Sequence, residues 1–383
     1  MPNEHSRCAP SAAHRWGNCT GSVQLSEQFP TLIEDPSGPE GTAAHEVWHR
    51  QALGQVVRLG DICENGVAVT DEMLDGAAIY LESLLAVGPE HWDRWRHETT
   101  LLMAPLGDGE IATPDSMLWL PARRAIYCTD YKFGHGRVEV FENWQLALYV
   151  LGECERLRSS GAIASEDDMR DVTVVMTIVQ PRCYTGNGPV SSWTTAVGYL
   201  ADRIWSKLIG AAIESRGPNA PCKVGEWCKD CPGRRACPTL QLNAGLIADA
   251  TDSRAALGLP LDAAALELMY LERAAALLDA RITGLREQVE HGLRSGQRAP
   301  GWALQAGRGK KVWASNEADV LALGDVLGVN LAKPRALITP KQAEAAFKKA
   351  RLDESVIEQY SKDVPGAMAL QPINTTDTKK VFS

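Results

Sequence analysis

The chain has 383 residues, 45% hydrophobic and 23% charged, with a formal net charge of −9; this is enough apolar material for a substantial core and a length that suits two domains. No apolar run approaches the ~20 residues a membrane span needs, and the opening Met1-Pro2-Asn3-Glu4-His5 lacks the basic-then-apolar order of a secretory signal, so a cytoplasmic protein without membrane association is expected. The negative balance excludes indiscriminate coating of nucleic acid but leaves room for a local basic track, with candidates at Arg234-Arg235, Arg308/Lys310/Lys311, Lys333/Arg335 and Lys348-Lys349/Arg351.

In chain order, the patterns predict a helix over residues 42–53 and strands over 98–104, 111–120 and 124–132. A helix over 140–156, a strand over 172–179 and a helix over 193–214 follow. That order predicts an α/β fold, a small mixed sheet flanked by helices, occupying residues 1–240. A long helix rich in Ala, Leu, Glu and Arg, roughly 261–293, then opens a mainly helical domain over 241–370. This second domain is expected to carry a short hairpin joining 301–304 to 311–313 across Gly307 and Gly309, and helices near 317–327 and 340–349. Residues 371–383 read as a flexible tail.

Asp130-Tyr131-Lys132 closes the 124–132 strand, and strand alternation puts Asp130 and Lys132 on one face. Asp115 lies in the preceding strand, so a hairpin would bring the two carboxylates to one point. Paired hard oxygen donors suit Mg²⁺ or Mn²⁺. A lysine beside them can orient or help deprotonate an attacking water and offset charge developing on a phosphate. Gln145 and Tyr149, at i and i+4 of the next helix, face one side and can hold that lysine or a phosphate. The chemistry expected of such a set is phosphodiester hydrolysis. As a bare triplet D-x-K is a common chance pattern, so the weight rests on the whole set.

His45-Glu46-Val47-Trp48-His49 also matches H-E-x-x-H, in which two histidines one helical turn apart bind Zn²⁺ and the glutamate is general base. A zinc metallopeptidase is therefore the rival enzyme, and a non-catalytic DNA-binding module the rival of another class. The peptidase needs a third ligand, for which Glu64 and Glu72 are available, and leaves the D-Y-K set unused.

Ten cysteines in such a chain are better read as free thiols or metal ligands than as disulfides. Cys228-x-x-Cys231-x5-Cys237 is the densest group and has metal-ligand spacing. Either Cys222 completes a local four-cysteine Zn²⁺ site, or Cys19 completes a site joining the two ends of the domain.

Taken together, His45 within Gly41-Thr42-Ala43-Ala44-His45, Glu98, Asp115, Asp130-Tyr131-Lys132 and Gln145-x-x-x-Tyr149 resemble, in order and spacing, the RecB-like PD-(D/E)xK nucleases. Residues 130–152 (DYKFGHGRVEVFENWQLALYVLG) and the opening His14-Arg15-Trp16-Gly17-Asn18-Cys19 look like a phage-associated family of that kind. The likeness continues through Gln180-Pro181-Arg182, Ser191-Ser192-Trp193 and Pro300-Gly301-Trp302, covering most of the chain. The resemblance implies a restriction-endonuclease-like core with metal held by His45, Asp115, Asp130 and the Tyr131 carbonyl. It implies Lys132 as the catalytic lysine, Gln145 and Tyr149 as its supporting pair, and Glu98 as a further catalytic carboxylate, with Glu110 a nearby rival. His49 is left as a helix-surface or supporting residue. The implied reaction is Mg²⁺- or Mn²⁺-dependent cleavage of DNA, exonucleolytic, in phage recombination or repair, with a partner such as a single-strand annealing protein. Iron–sulfur relatives, the CRISPR-associated RecB-like and AddB-like exonucleases, draw one cysteine from before the catalytic motifs and three from after. The resemblance thus implies Cys19 with Cys228, Cys231 and Cys237 around a [4Fe–4S] cluster.

Overall fold

The computed structural model describes residues 6–33, 37–183, 188–251, 260–306, 310–315, 317–333, 336–337, 339–350, 352–364 and 368–372. The chain divides into two compact units, residues 1–285 and 286–383. The boundary placed near residue 240 from composition falls inside a helix, Pro238–Thr251, and the units separate later, within the long helix Leu261–Arg294.

In the first unit a five-stranded mixed sheet runs in the order β1 (Arg96–His97), β2 (Ser116–Leu120), β3 (Ala125–Tyr131), β4 (Thr173–Val179), β5 (Val190–Ala196). β2 is antiparallel to β1 and to β3, β3 and β4 are parallel, and β5 is antiparallel to β4. A parallel pair cannot be joined by a tight turn, and the helix Trp144–Ser159 lies in the required crossover. Helices α1 (Gly38–Ala52), α2 (Asp71–Leu85) and α3 (Trp144–Ser159) cover the sheet. Two apolar cores separate by strand alternation: Met117, Ile126, Cys128 and Met176 pack with Leu146 and Val150 of α3, whereas Leu118, Leu120 and Tyr131 pack with Trp48 of α1 and Tyr80 of α2. Asp130, two residues on from Cys128, belongs to the α3 side of β3.

The helix starts follow capping chemistry. Asn143 accepts from Leu146 N–H at 3.1 Å at the head of α3, and Thr70 accepts from Met73 N–H at 3.3 Å at the head of α2, with Asp71 and Glu72 in the first turn.

Several expected elements are corrected. The 98–104 strand is reduced to β1 before it and a two-residue ladder of Leu101–Leu102 with Ile111–Ala112, because Glu98 takes the left-handed region at φ 44° and turns the chain. The 111–120 strand breaks into two at Thr113-Pro114-Asp115, where Pro114 has no N–H to give a ladder. Residues 193–196, expected as helix, are the end of β5; Val190–Ala196, with Trp and two Thr among its residues, pairs through its backbone with β4, and helix begins at Val197. The 140–156 helix starts later, at Trp144, beyond its Asn143 cap.

In the second unit Trp302–Ala306 and Lys310–Trp313 are strands, but not one hairpin: among the described residues the first pairs with Met368–Pro372 and the second with Ser361–Val364. Short-range turn signals could not anticipate partners about fifty to seventy residues away. Gly307 and Gly309 lie outside the described residues, as do residues 373–383 of the expected tail, whereas Gln371 and Pro372 end a strand. Helices Glu317–Leu327 and Pro340–Lys349 stand where periodicity put them. Among the described residues no helix is long and apolar enough to cross a membrane.

Candidate active site

The ends of β2 and β3 carry the carboxylates. Tyr131 N–H donates to Asp115 Oδ2 at 2.6 Å, which fixes the first carboxylate against the strand holding the second. Lys132 N–H continues the parallel ladder to Val179 O at 2.9 Å, so the lysine backbone is anchored. Lys132 Nζ lies 2.9 Å from Asp130 Oδ2 and donates to Gln145 Oε1 at 3.0 Å. Gln145 Nε2 reaches both Asp130 Oδ1, at 3.1 Å, and Tyr149 OH, at 2.8 Å. The i,i+4 pair on α3 is thereby tied directly to the carboxylate and the lysine.

From the other layer, His45 Nδ1 on α1 lies 3.3 Å from Asp115 Oδ1. One turn further, His49 Nδ1 lies 3.0 Å from Glu98 Oε2, and Glu98 N–H donates to Asp115 O at 3.0 Å. Glu98, at its left-handed turn, thus borders the centre. Glu110 does not: it is buried elsewhere, accepting from Arg216 Nη2 at 2.8 Å and Cys8 N–H at 3.0 Å. Glu46, the would-be general base of H-E-x-x-H, accepts from Glu64 N–H at 2.8 Å and pairs with Arg50, while each histidine faces a different carboxylate. That arrangement divides the two histidines instead of converging them on one ion.

Burial and charge push the two aspartates apart. Burial alone would raise Asp115, but the His45 charge and hydrogen bond and the Tyr131 N–H outweigh it and hold its pKa below the ordinary value. Asp130 is raised to about 6, by burial first and by Asp115, against the pull of Lys132. Burial would lower His45, and Asp115 reverses this and raises it. Such divergence between neighbouring acids is common at functional sites. Asp130 Oδ2 is buried and, despite its ion pair with Lys132, receives no well-directed hydrogen bond.

Sequence reasoning missed the supports. Tyr80 OH donates to Ser116 Oγ at 2.8 Å and to Thr129 O at 3.2 Å, and Ser116 Oγ also meets His97 Nδ1 at 2.9 Å, locking β1, β2, β3 and α2 together. Arg182 pairs with Glu40 of α1 and Glu72 of α2 while stacking 4.1 Å over Phe133, which fastens both helices to the end of β4. None of these has a sequence spacing that would reveal it. Of the basic candidates, Arg235 donates to Phe29 O and Pro30 O, and Lys311 pairs with Glu344; Arg308, Arg335 and Arg351 lie outside the described residues.

All ten cysteines are free thiols. Cys19, Cys228, Cys231 and Cys237 line one cavity, and Cys222 lines it too. Backbone N–H groups point at three of the sulfurs: Lys223 at Cys19 Sγ (3.2 Å), Gly225 at Cys228 Sγ (3.4 Å) and Leu240 at Cys237 Sγ (3.5 Å). Burial, then the neighbouring Cys237 and Cys19, pushes Cys222 up to about 12, and burial pushes Cys228 up to about 11. Among the described residues no three His, Cys, Asp or Glu side chains form a closed metal-holding group; in the carboxylate centre the oxygens are engaged by His45 and Lys132.

Fold and centre define a mixed α/β protein with a carboxylate–lysine cluster at the ends of two adjacent sheet strands. The chain belongs to the family described as protein of unknown function (DUF2800), whose profile matches residues 5–378. Among solved structures it is similar to a candidate exonuclease from Eubacterium rectale, with 8% identity, coverage of 58% of this chain and 86% of that one, and a TM-score of 0.35. It is also similar to a phage-related exonuclease from Haemophilus somnus 129PT, with 11% identity, coverage of 54% and 92%, and a TM-score of 0.23. Both likenesses are loose at these scores.

Proposed function

We propose that the chain is a metal-dependent DNA nuclease of RecB-like PD-(D/E)xK type. The observation that carries this reading is the single network joining Asp115, Asp130, Lys132 and Gln145, in which Lys132 Nζ sets a cation 2.9 Å from the buried Asp130 Oδ2. What supports a hard divalent ion is the chemistry of the donors: Asp115 and Asp130 offer carboxylate oxygens and would hold Mg²⁺ or Mn²⁺, with His45 and the Tyr131 carbonyl beside them. When bound, the ion would polarise the phosphate and stabilise charge on it. Lys132, held by Gln145 and Asp130, presents a cation to the scissile phosphate and can orient a water or take part in its deprotonation. Gln145 fixes the lysine and is itself fixed by Tyr149. Exonucleolytic action in phage recombination or repair, with a single-strand annealing partner, completes the proposal.

The test is cleavage of end-labelled DNA by the full chain with Mg²⁺ or Mn²⁺ and with EDTA, on free and blocked ends. Metal-dependent shortening from free ends is expected; absence of metal-dependent cleavage on every DNA form removes the reading, and cutting of blocked substrates makes it an endonuclease.

The cysteine cavity is proposed to hold a soft metal group. Five thiols gather there, and the three backbone N–H groups aimed at sulfur are of the kind that stabilise thiolate ligands and tune clusters. Cys19, Cys228, Cys231 and Cys237 would hold a [4Fe–4S] cluster; Zn²⁺ with Cys222 is the second reading, favoured by the presence of that fifth thiol. Either group would tie residue 19 or residue 222 to the Cys228–Cys237 turn.

A further inference from the structure

Trp144 is the first residue of α3 and directly precedes Gln145, which bridges Asp130, Lys132 and Tyr149. Around this helix start, rings from separate chain segments collect. Lys207 Nζ lies 4.1 Å from the centroid of the Trp144 ring and donates to Asn18 Oδ1 at 3.1 Å. The exposed His14 ring stands 5.8 Å from Trp144 and 6.3 Å from Trp227, whose Nε1 donates to Lys223 O at 2.8 Å. Three residues before Trp144, Phe141 is 55% exposed and meets Trp193 edge-on at 5.0 Å, and Trp193 meets Tyr199 at 5.6 Å. His14 and Trp193 lie in short motifs that the carboxylate centre leaves unused.

The charges match the rings. Lys132 and Lys311 pair with carboxylates, whereas among the described residues neither Lys207 nor Lys223 does. Lys207 and Lys223 are both exposed, and burial first and then Lys223 lower the Lys207 pKa. His14 and Phe141 are exposed and Trp144, Trp193 and Trp227 half-buried, and rings so placed beside lysines without a carboxylate partner suit a ligand that offers flat rings and a regular anionic backbone. A duplex conceals its base faces and offers only phosphates, but a single strand offers both.

We propose that the surface from Phe141 past Trp144 to His14 and Trp227, with Lys207 and Lys223, binds single-stranded DNA next to the carboxylate centre. This rests on the nuclease reading for its purpose, not for its binding. The experiment uses full-length Asp130→Asn protein in EDTA, with fluorescence anisotropy on oligo(dT) long enough to span the track and on a blunt duplex of equal length. Oligo(dT) is expected to bind more tightly than the duplex. Stacking contributes about 1–3 kcal/mol per base, so Phe141→Ala should weaken oligo(dT) binding roughly 5- to 150-fold, with duplex binding changed less than about twofold. Lys207→Gln should weaken it and reduce the salt slope by about one unit. Phe141 and Lys207 are both exposed, so these variants retain the core, which circular dichroism checks. Duplex bound as tightly as oligo(dT), or both variants holding oligo(dT) like the parent, overturns the track. Because neither metal nor cleavage enters the measurement, its failure is distinct from failure of the nuclease reading, which activity alone decides.

Discussion

The carboxylate centre and the cysteine cavity gather reactive side chains by opposite means. Asp115, Asp130, Lys132, Gln145 and Tyr149 come from one stretch of chain, on two paired strands and the next helix, so strand register and helical spacing nearly suffice to assemble them. Only His45 and Glu98 arrive from outside it. The cavity instead joins Cys19 to Cys228–Cys237 across about two hundred residues, a closure whose entropic cost grows slowly with length but must be met by something. The Gly21–Gln28 helix packs against the Pro232–Arg235 turn, Leu25 tightly against Gly233, and Gly21 N–H donates to Pro221 O at 3.0 Å. A locally built centre should therefore lose chemistry and keep its fold when altered; a centre built across the chain should lose both.

The largest effect expected is at the local centre. Asp130→Asn and Lys132→Ala should each lower the metal-dependent cleavage rate by about 10³-fold or more, with circular dichroism unchanged. A variant within tenfold of the parent would show that the network is structural only.

At the cavity, Cys19→Ser should cost metal content, colour and thermal stability together in anaerobically purified protein, whereas Cys222→Ser keeps all three. Iron or zinc per chain, measured with the unfolding midpoint, decides it. The opposite pattern, zinc lost with Cys222, would make the cavity as local as the carboxylate centre and abolish the contrast.

Within the local centre the two histidines separate its inner and outer contacts. His45→Ala should lower activity about 10²-fold, because it removes the partner of Asp115, and His49→Ala less than about tenfold, because it touches only Glu98. Equal losses, with one zinc per chain, would turn the reading toward the peptidase.

The smallest effect concerns the scaffold. His97 has its pKa lowered to about 4, by burial first and then by His49. Unfolded chain, with an ordinary pKa near 6.5, takes up a proton between those values that folded protein does not, so stability is full above about pH 6.5 and falls toward pH 4. The loss should be on the order of 1–2 kcal/mol after allowing for partial exposure, and smaller in His97→Gln. Urea midpoints at neutral and acid pH compare the two; identical acid losses would exclude His97 as the source.

Much of the carboxylate centre was legible because its parts obey local periods. Two-residue alternation put Asp130 and Lys132 on one side of β3, and i,i+4 spacing aligned Gln145 with Tyr149. The strand limits were less legible: the missing N–H of Pro114 marks the break in 111–120, but the left-handed turn at Glu98 is not written in a glutamate. Residues 193–196 passed for the start of a helix because their strand character comes from the ladder with β4, a non-local partner.

By itself, the sequence determined which residues could do chemistry and, through strand and helix periods, which near neighbours would meet. Only tertiary structure decided that His45 serves Asp115 while His49 serves Glu98, that Glu110 is spent on Arg216, and that Cys222 shares a cavity with Cys19. Each of those choices depends on the packing of segments far apart in the chain, where no local period constrains which side chain is brought opposite which.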